Sequence, residues 1–173
     1  MKKIGWYFSK IKSKIKKNNE IMNDYYRKYG AKIGKECLIC TDISKNGEEL
    51  NLIEIGDSVT ISVDVSFITH DYSIRNLSEN FINLFGKIKI GKNCFIGERA
   101  ILMYGITLAD NIIVASGSVV TKSFKENNII IGGNPVKKIG NWEEFYNKVW
   151  DKSLPSRGLK ENMIKFPNKL IER

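Results

Sequence analysis

Large apolar residues recur at every sixth position along the middle of the chain. Ile90, Ile96, Leu102, Leu108, Val114 and Val120 follow one another without a gap. Ile55, Ile61 and Phe67 come before them, and Ile33 and Ile39 earlier still. With about a third of residues large and apolar, six successive hits arise by chance roughly once in a thousand frames. The position after each is mostly small (Gly34, Gly56, Ser62, Gly91, Gly97, Ala109, Ala115). The fifth position of the unit is small or branched (Cys37, Val59, Val65, Cys94, Ala100, Ile106, Ile112, Ser118). A fixed period of six is too short for a pair of helices. It suits one short strand and a corner, so three units close a triangular coil, and stacked coils bury a column of aliphatic side chains. The small residues beside that column are expected to let the backbone turn at each corner. An antiparallel sheet would need hairpin signals, and the one present, Asn46-Gly47, falls where the register is broken.

The pattern divides the chain into three: residues 1–30, 31–140 and 141–173. In the first, Ile4, Phe8, Ile11 and Ile15 recur at helical spacing, with Lys2, Lys3, Lys10, Lys12, Lys14, Lys16 and Lys17 around them. A second helical stretch, Ile21 to Tyr29, stops at Gly30. The repeat region loses its register between Ile43 and Ile53, and again over residues 71–87, directly after the only histidine, His70. Loops of that length inside a compact repeat are usually functional or disordered. This one holds Tyr72, Ile74, Leu77, Phe81, Ile82, Leu84 and Phe85, which is too apolar for a solvated linker, so it is expected to pack on another surface such as a neighbouring subunit. In the tail, Trp142, Phe145, Tyr146, Val149 and Trp150 predict a helix ended by Pro155 and Gly158, with Met163, Ile164 and Phe166 as docking contacts beyond it.

Composition narrows the chemistry. The 173 residues, 42% hydrophobic and 27% charged, make one soluble domain with appendages. The net charge of +9 suits an anionic partner: nucleic acid, a membrane surface or a phosphorylated cofactor. A single histidine excludes metal sites that need two imidazoles, so no metal is expected. Three cysteines make no disulfide framework, and with no export or spanning segment visible, the cytoplasm is the expected compartment. Cys37-Leu38-Ile39-Cys40 reads as structural, because Cys37 takes the small fifth position as Cys94 does. Gly86 to Asn93 resembles a phosphate loop but ends in Asn where Ser or Thr must hold magnesium. Nucleic acid is not an expected partner: the lysine-rich start lacks a recognition fold, and Trp6, Tyr7 and Phe8 are clustered rather than interleaved with the lysines.

At Ile90-Gly91-Lys92-Asn93-Cys94-Phe95-Ile96-Gly97, Ala115-Ser116-Gly117-Ser118-Val119-Val120-Thr121-Lys122 and Gly133-Asn134-Pro135, the chain resembles the hexapeptide-repeat acyltransferases, over residues from about Gly30 to Ile139. The resemblance implies a mainly β fold: a left-handed parallel β-helix with N- and C-terminal helices and a long loop inserted after His70. It also implies homotrimers with active sites between subunits, and acyl transfer from acetyl-coenzyme A. Phe67-Ile68-Thr69-His70-Asp71 is similar to the branch that acetylates sugars, and Arg27 to Gly34 to its surface-polysaccharide members.

By that resemblance His70 is the base that takes the acceptor proton, a task suited to imidazole near neutral pH. Asp71, its neighbour, points the other way in a strand and could orient the ring only if the chain turns there. Asp71, Tyr72 and Met103 are the expected acceptor contacts. Cofactor contacts are expected from Phe95, Gly97, Ala115, Ser116, Thr121 and Lys122, with Lys137 and Lys138 toward the phosphates. Three positions depart from the family: Phe95 stands where many relatives carry Trp, Glu98 where Ser is common, and Gly140 where some carry a second Arg.

The leading expectation is O-acetylation of a sugar by direct attack on the thioester, in capsule or lipopolysaccharide synthesis. N-acetylation of an amino sugar, O-acetylation of an antibiotic and a catalytically inactive scaffold are the alternatives. Two surfaces compete for the N-terminal apolar stripe. One is the open end of the coil, which needs a cap; the other is anionic lipid, in a weak peripheral contact. A stripe so narrow serves only one of them, and the cap is the expected one.

Overall fold

The computed structural model describes residues 2–16, 19–77, 80 and 82–171. The chain divides into two compact units, residues 1–139 and 140–173. In the first, strands of mostly two or three residues stack on three faces of a coil, and every neighbouring pair but the last on the third face is parallel. One face holds β1 (Lys32–Ile33), β3 (Ile53–Ile55), β8 (Ile88–Ile90) and β11 (Thr107–Leu108). The next holds β5 (Ser66–Phe67), β10 (Ile101–Leu102) and β13 (Val119–Val120). The third runs β2 (Leu38–Ile39), β4 (Thr60–Ile61), β9 (Phe95–Ile96), β12 (Ile113–Val114), β14 (Ile129–Gly133) and β15 (Val136–Asn141). The pair β6 (His70–Asp71) and β7 (Leu84–Phe85) is antiparallel and stands apart from these faces.

The register stacks like on like: Phe67, Leu102 and Val120 lie in one row, Ile39, Ile61, Ile96, Val114 and Ile131 in another. Of the six-step column, the residues from Ile55 to Val120 are buried, and Ile33 and Ile39 pack against the core from its edge. Each fully buried Ile or Val contributes roughly 1.5–3 kcal/mol. The fifth-position residues are buried too, Cys37 and Cys94 included, and burial pushes the Cys94 thiol up to about 11, which keeps it an unreactive filler.

The small residues beside the column do a different job from the one expected. Gly34, Gly56, Gly91 and Gly97 are not in the left-handed region. A Cβ on Gly97 would stand 2.5 Å from the amide nitrogen of Ser116, and one on Gly91 2.5 Å from the carbonyl carbon of Ala109, so these glycines let one coil lie close on the next. On two of the faces the corners are turned one or two residues before the strand, by left-handed Glu36, Ser58, Asn93, Asn111 and Asn128 in one column and Asp64, Arg99 and Gly117 in another. Asn tolerates that region better than most residues. Here it also stacks: Asn93 Nδ2 donates to Asn111 Oδ1 at 2.9 Å, and Asn111 Nδ2 to Asn128 Oδ1 at 2.7 Å.

The open end of the coil is closed by α2 (Glu20–Lys28), not by the predicted stripe. Arg27 donates to the carbonyls of Ile33 (2.9 Å) and Gly34 (2.7 Å) and pairs with Glu20 and Asp24, while Asn23 Nδ2 donates to Cys37 O at 2.9 Å. Carbonyls that would face an earlier coil are thus satisfied by side chains. The first helix, α1 (Lys2–Lys16), lies on α2. Phe8 and Ile11, expected to be buried, are 70% and 54% exposed, and the partly buried face is that of Gly5, Trp6, Ser9 and Ser13. The side chains of Ile4 and Ile15, and residues Lys17 and Phe81, lie outside what the structure describes. Among the described residues no helix is long and apolar enough to cross a membrane.

In the second unit, α3 (Trp142–Val149) is capped by Asn141, whose side chain accepts from Glu144 N at 2.9 Å. The tail then forms a further helix, α4 (Leu159–Lys165), entered through left-handed Gly158. Met163 and Ile164, expected as docking contacts, are exposed on it, because a short amphipathic turn satisfies its own backbone without burying that face.

Candidate active site

The first break in the repeat is a 3₁₀ segment, Ile43–Leu52. Asp42 starts it by accepting from Ser44 N at 2.9 Å and Ser44 Oγ at 2.6 Å. Gly47 (φ 59°, ψ −116°) then reverses its direction in open space, a conformation closed to side chains rather than a lack of room. The segment folds its polar residues onto the strand end that leads to His70. Asn46 Nδ2 donates to Phe67 O at 2.8 Å and to Thr69 Oγ1 at 3.0 Å. Buried Thr69 donates its hydroxyl to Glu49 Oε2, and the same carboxylate oxygen lies 2.7 Å from His70 Nδ1. Burial pushes the Glu49 carboxyl up, but the hydrogen bonds from Thr69 and His70, with the His70 charge, outweigh it and hold the group below its ordinary value.

A carboxylate only accepts, so in the neutral ring of His70 it is Nδ1 that carries the proton and Nε2 that has the lone pair. The ring stacks on Tyr72 (centroids 4.2 Å apart, planes at 28°), with Phe85 tilted against it at 6.1 Å. The side chain is 34% exposed and borders a cavity of about 460 Å³ lined also by Thr41, Asp42, Lys45, Asn46 and Glu49. An oriented imidazole with a basic nitrogen, on a partly exposed ring beside a polar cavity, is equipped to abstract a hydroxyl proton.

Asp71 does not orient this imidazole. Its carboxylate accepts from Ser73 N at 2.8 Å and from the Tyr104 hydroxyl at 3.2 Å, and the Ser73 bonds hold it below the usual carboxylate range. That ties the root of the second insertion to the coil. Met103 and Thr121 follow the paired residues Leu102 and Val120, so they stack at the corner next to Ile68, two residues before His70. Lys122 follows Thr121, its ammonium 5.6 Å from the Phe124 ring centre. The remaining expected cofactor residues stand elsewhere. Phe95 is exposed on β9, buried Gly97 and half-buried Ala115 follow β9 and β12 at that face's end, and Ser116 is exposed beside them. Within one subunit the residues expected around the cofactor are therefore split between two corners. Lys137 and Lys138 are exposed on β15, and Lys138 pairs with Glu126 at 2.5 Å. Glu98, which would repel a phosphate, has Arg99 Nε at 3.7 Å. Among the described residues no cluster of His, Cys, Asp or Glu could hold a metal ion.

Asn46, Glu49 and Thr69 are absent from the sequence-derived site. Nothing periodic marks them, and Glu49 meets His70 across 21 residues of chain. Their one signal is that the break in the repeat is polar and not empty of chemistry.

A coil of this period with a held imidazole at its corner defines a class whose members move acyl groups. The family model described as "Hexapeptide repeat of succinyl-transferase" matches residues 87–122. Over 160 residues the chain is 38% identical to protein CapG of Staphylococcus aureus, covering 91% of this chain and 92% of that protein. The chain belongs to the hexapeptide-repeat acyltransferases. It is 31% identical over 88 residues to the galactoside O-acetyltransferase of Escherichia coli, spanning 50% of this chain and 43% of that enzyme. The crystal structure of a maltose O-acetyltransferase from Clostridium difficile superposes with a TM-score of 0.53 at 25% identity, over 81% of this chain and 87% of that one.

Proposed function

We propose that this protein transfers an acetyl group from acetyl-coenzyme A to a hydroxyl of a sugar. The observation that carries the reading is the contact of Glu49 with His70 Nδ1, which leaves Nε2 as the basic nitrogen of a partly exposed ring. Coenzyme A supplies the acetyl group as a thioester whose carbonyl carbon is the electrophile. His70 Nε2 takes the acceptor's hydroxyl proton as its oxygen bonds to that carbon. Glu49 stabilises the imidazolium that forms, in the manner of a positioning carboxylate. Backbone N–H groups hold the oxyanion of the tetrahedral intermediate. As the carbon–sulfur bond breaks, His70 returns the proton to the leaving thiolate. No acyl-enzyme is involved, because the cysteines near the coil are buried fillers or unpaired with a base.

In the same reading, Phe95, Gly97, Ala115 and Ser116 line one wall of the cofactor site, Thr121, Lys122, Lys137 and Lys138 meet its phosphates, and Asp71, Tyr72 and Met103 border the acceptor. Their distribution over two corners is the reason to assign a homotrimer: threefold packing sets one corner of a subunit against another corner of its neighbour. The left hand of the coil, a cytoplasmic location and a surface-polysaccharide precursor as acceptor belong to this reading as well, supported by family membership. The test is acetyl-coenzyme A consumption against a panel of sugars, with the product located by mass spectrometry. Ester formation lost in His70→Ala supports the assignment. An amide product, or ester formation that survives in His70→Ala, overturns it.

A further inference from the structure

Helix α1 turns its most apolar arc away from its own protein. At about 100° per residue, Gly5, Ser9 and Ser13 stand on one side of the helix and Tyr7, Phe8 and Ile11 roughly opposite. The first side is the one packed on α2: a Cβ on Gly5 would lie 3.5 Å from the Tyr25 ring, and Gly5 and Ser9 face Ile21, Asp24 and Tyr25 across a shallow cleft. The opposite arc is left exposed. Lys10 sits 4.2 Å over the Trp6 ring, and Lys12 is exposed on the flank. Over its length α1 has six lysines and no acidic residue, two thirds of the formal net charge of +9.

A second copy of this helix is a poor cover for that arc, since Lys10 and Lys12 on its flanks would meet like charges and α1 has no acidic residue to pair them. An anionic bilayer surface offers an apolar boundary for Phe8 and Ile11, a headgroup layer suited to a tyrosine, and phosphates for the lysines. We propose that α1 is an interfacial helix that docks the protein on an anionic lipid surface. The placement bears on the site. A cavity of about 550 Å³, walled by Trp6 and Tyr7 of α1, shares Asp42 and Lys45 with the cavity that holds His70. Docking through α1 therefore sets the lipid surface one cavity away from the imidazole, within reach of a glycan carried on lipid. That consequence rests on the function proposed above; the docking itself does not.

The experiment sediments the full-length protein with vesicles of phosphatidylcholine alone and of phosphatidylcholine mixed with phosphatidylglycerol, at low and high salt. Binding is expected at least about tenfold tighter on the anionic vesicles and weakened by salt. Lys10→Gln/Lys12→Gln should cost roughly thirtyfold, from about 1 kcal/mol per lysine at the surface. Phe8→Ser/Ile11→Ser should lower binding by tenfold or more, with circular dichroism and light-scattering mass unchanged. Equal binding to both vesicle types overturns the proposal, as does wild-type binding by the Phe8/Ile11 variant. A drop in mass of that variant would make the arc an interface between copies and overturn it too. Sedimentation needs no acetyl transfer, so the docking and the catalytic reading can each fail alone.

Discussion

Two insertions interrupt the coil, and both bear on His70. Residues 43–52 turn inward: Ile43 and Leu50 are buried, and Asn46 and Glu49 spend their polar atoms on Phe67, Thr69 and His70. In the second insertion Tyr72, Ile82, Leu84 and Phe85 are exposed and Leu77 is 84% exposed, while the ties to the coil stand at its two roots, Asp71 to Tyr104 at one and Gly86 to Thr69 and Lys87 to Glu54 at the other. The difference is one of what each segment needs to be satisfied. Polar atoms held by buried partners fix the first in place and make it part of the chemistry. The second leaves large apolar side chains exposed, which is what the expectation that it packs on a neighbouring subunit requires.

The largest effect expected from this contrast is at the point where the two insertions meet. His70→Ala should lower turnover by about 10²–10⁴, with coenzyme A affinity unchanged, measured by steady-state kinetics and calorimetry. Glu49→Gln should cost roughly 10–100-fold, since the neutral amide still contacts the ring but does not stabilise the imidazolium. An equal loss from Leu77→Ser would erase the distinction between the inner and outer insertions.

Glu49 also sharpens the contrast through pH. Its carboxyl lies below the ordinary 4.5 in the folded protein, so its contribution to stability is present above that value and is lost as the pH falls through the folded one. Thermal melts of wild type should decline more steeply below about pH 4.5 than those of Glu49→Gln. Parallel curves would mean that the carboxylate is not held as described.

The glycine-rich coil and its corners provide the next scale. Asn111→Ala removes two side-chain hydrogen bonds and places alanine in the left-handed region, for an expected loss of about 2 kcal/mol by denaturant melts. Asn111→Gly should cost less, because glycine accepts the backbone conformation. Smallest is Leu77→Ser, expected to change subunit stability by under about 0.5 kcal/mol while weakening assembly at low protein concentration, read by light scattering. Assembly identical to wild type would leave the outer insertion without its role.

The six-residue column is legible in the sequence because a coil repeats its core at a fixed step, over Ile55, Ile61 and Phe67 and again from Ile90 to Val120. Cys37 and Cys94 are legible for the same reason; Cys40, read as structural with Cys37, is exposed instead, since it follows the column residue Ile39 and takes no fifth position. Glycine function was misread: small residues suggest turning, yet at Gly91 and Gly97 the constraint is a neighbouring backbone, which only the stacked coil supplies. The stripe on α1 was misread in the opposite sense. Hydrophobic spacing finds Phe8 and Ile11, but the helix packs through Gly5 and Ser9, where close approach matters more than apolar area. His70 came from a motif. Glu49 came from nowhere in the sequence, because an insertion's contacts follow the path of its chain and not a period.

The asparagine rungs also make the coil a mechanical series. Asn93, Asn111 and Asn128 pass a hydrogen bond from one turn to the next, so tension applied at the C-terminal side loads one rung at a time instead of shearing all of them together. Pulled from that side, the coil should peel turn by turn, in steps of about 18 residues as Asn93 and Asn111 are spaced. The Arg27 and Asn23 contacts of α2 anchor the opposite end, so the last turn to yield should be the first in the chain.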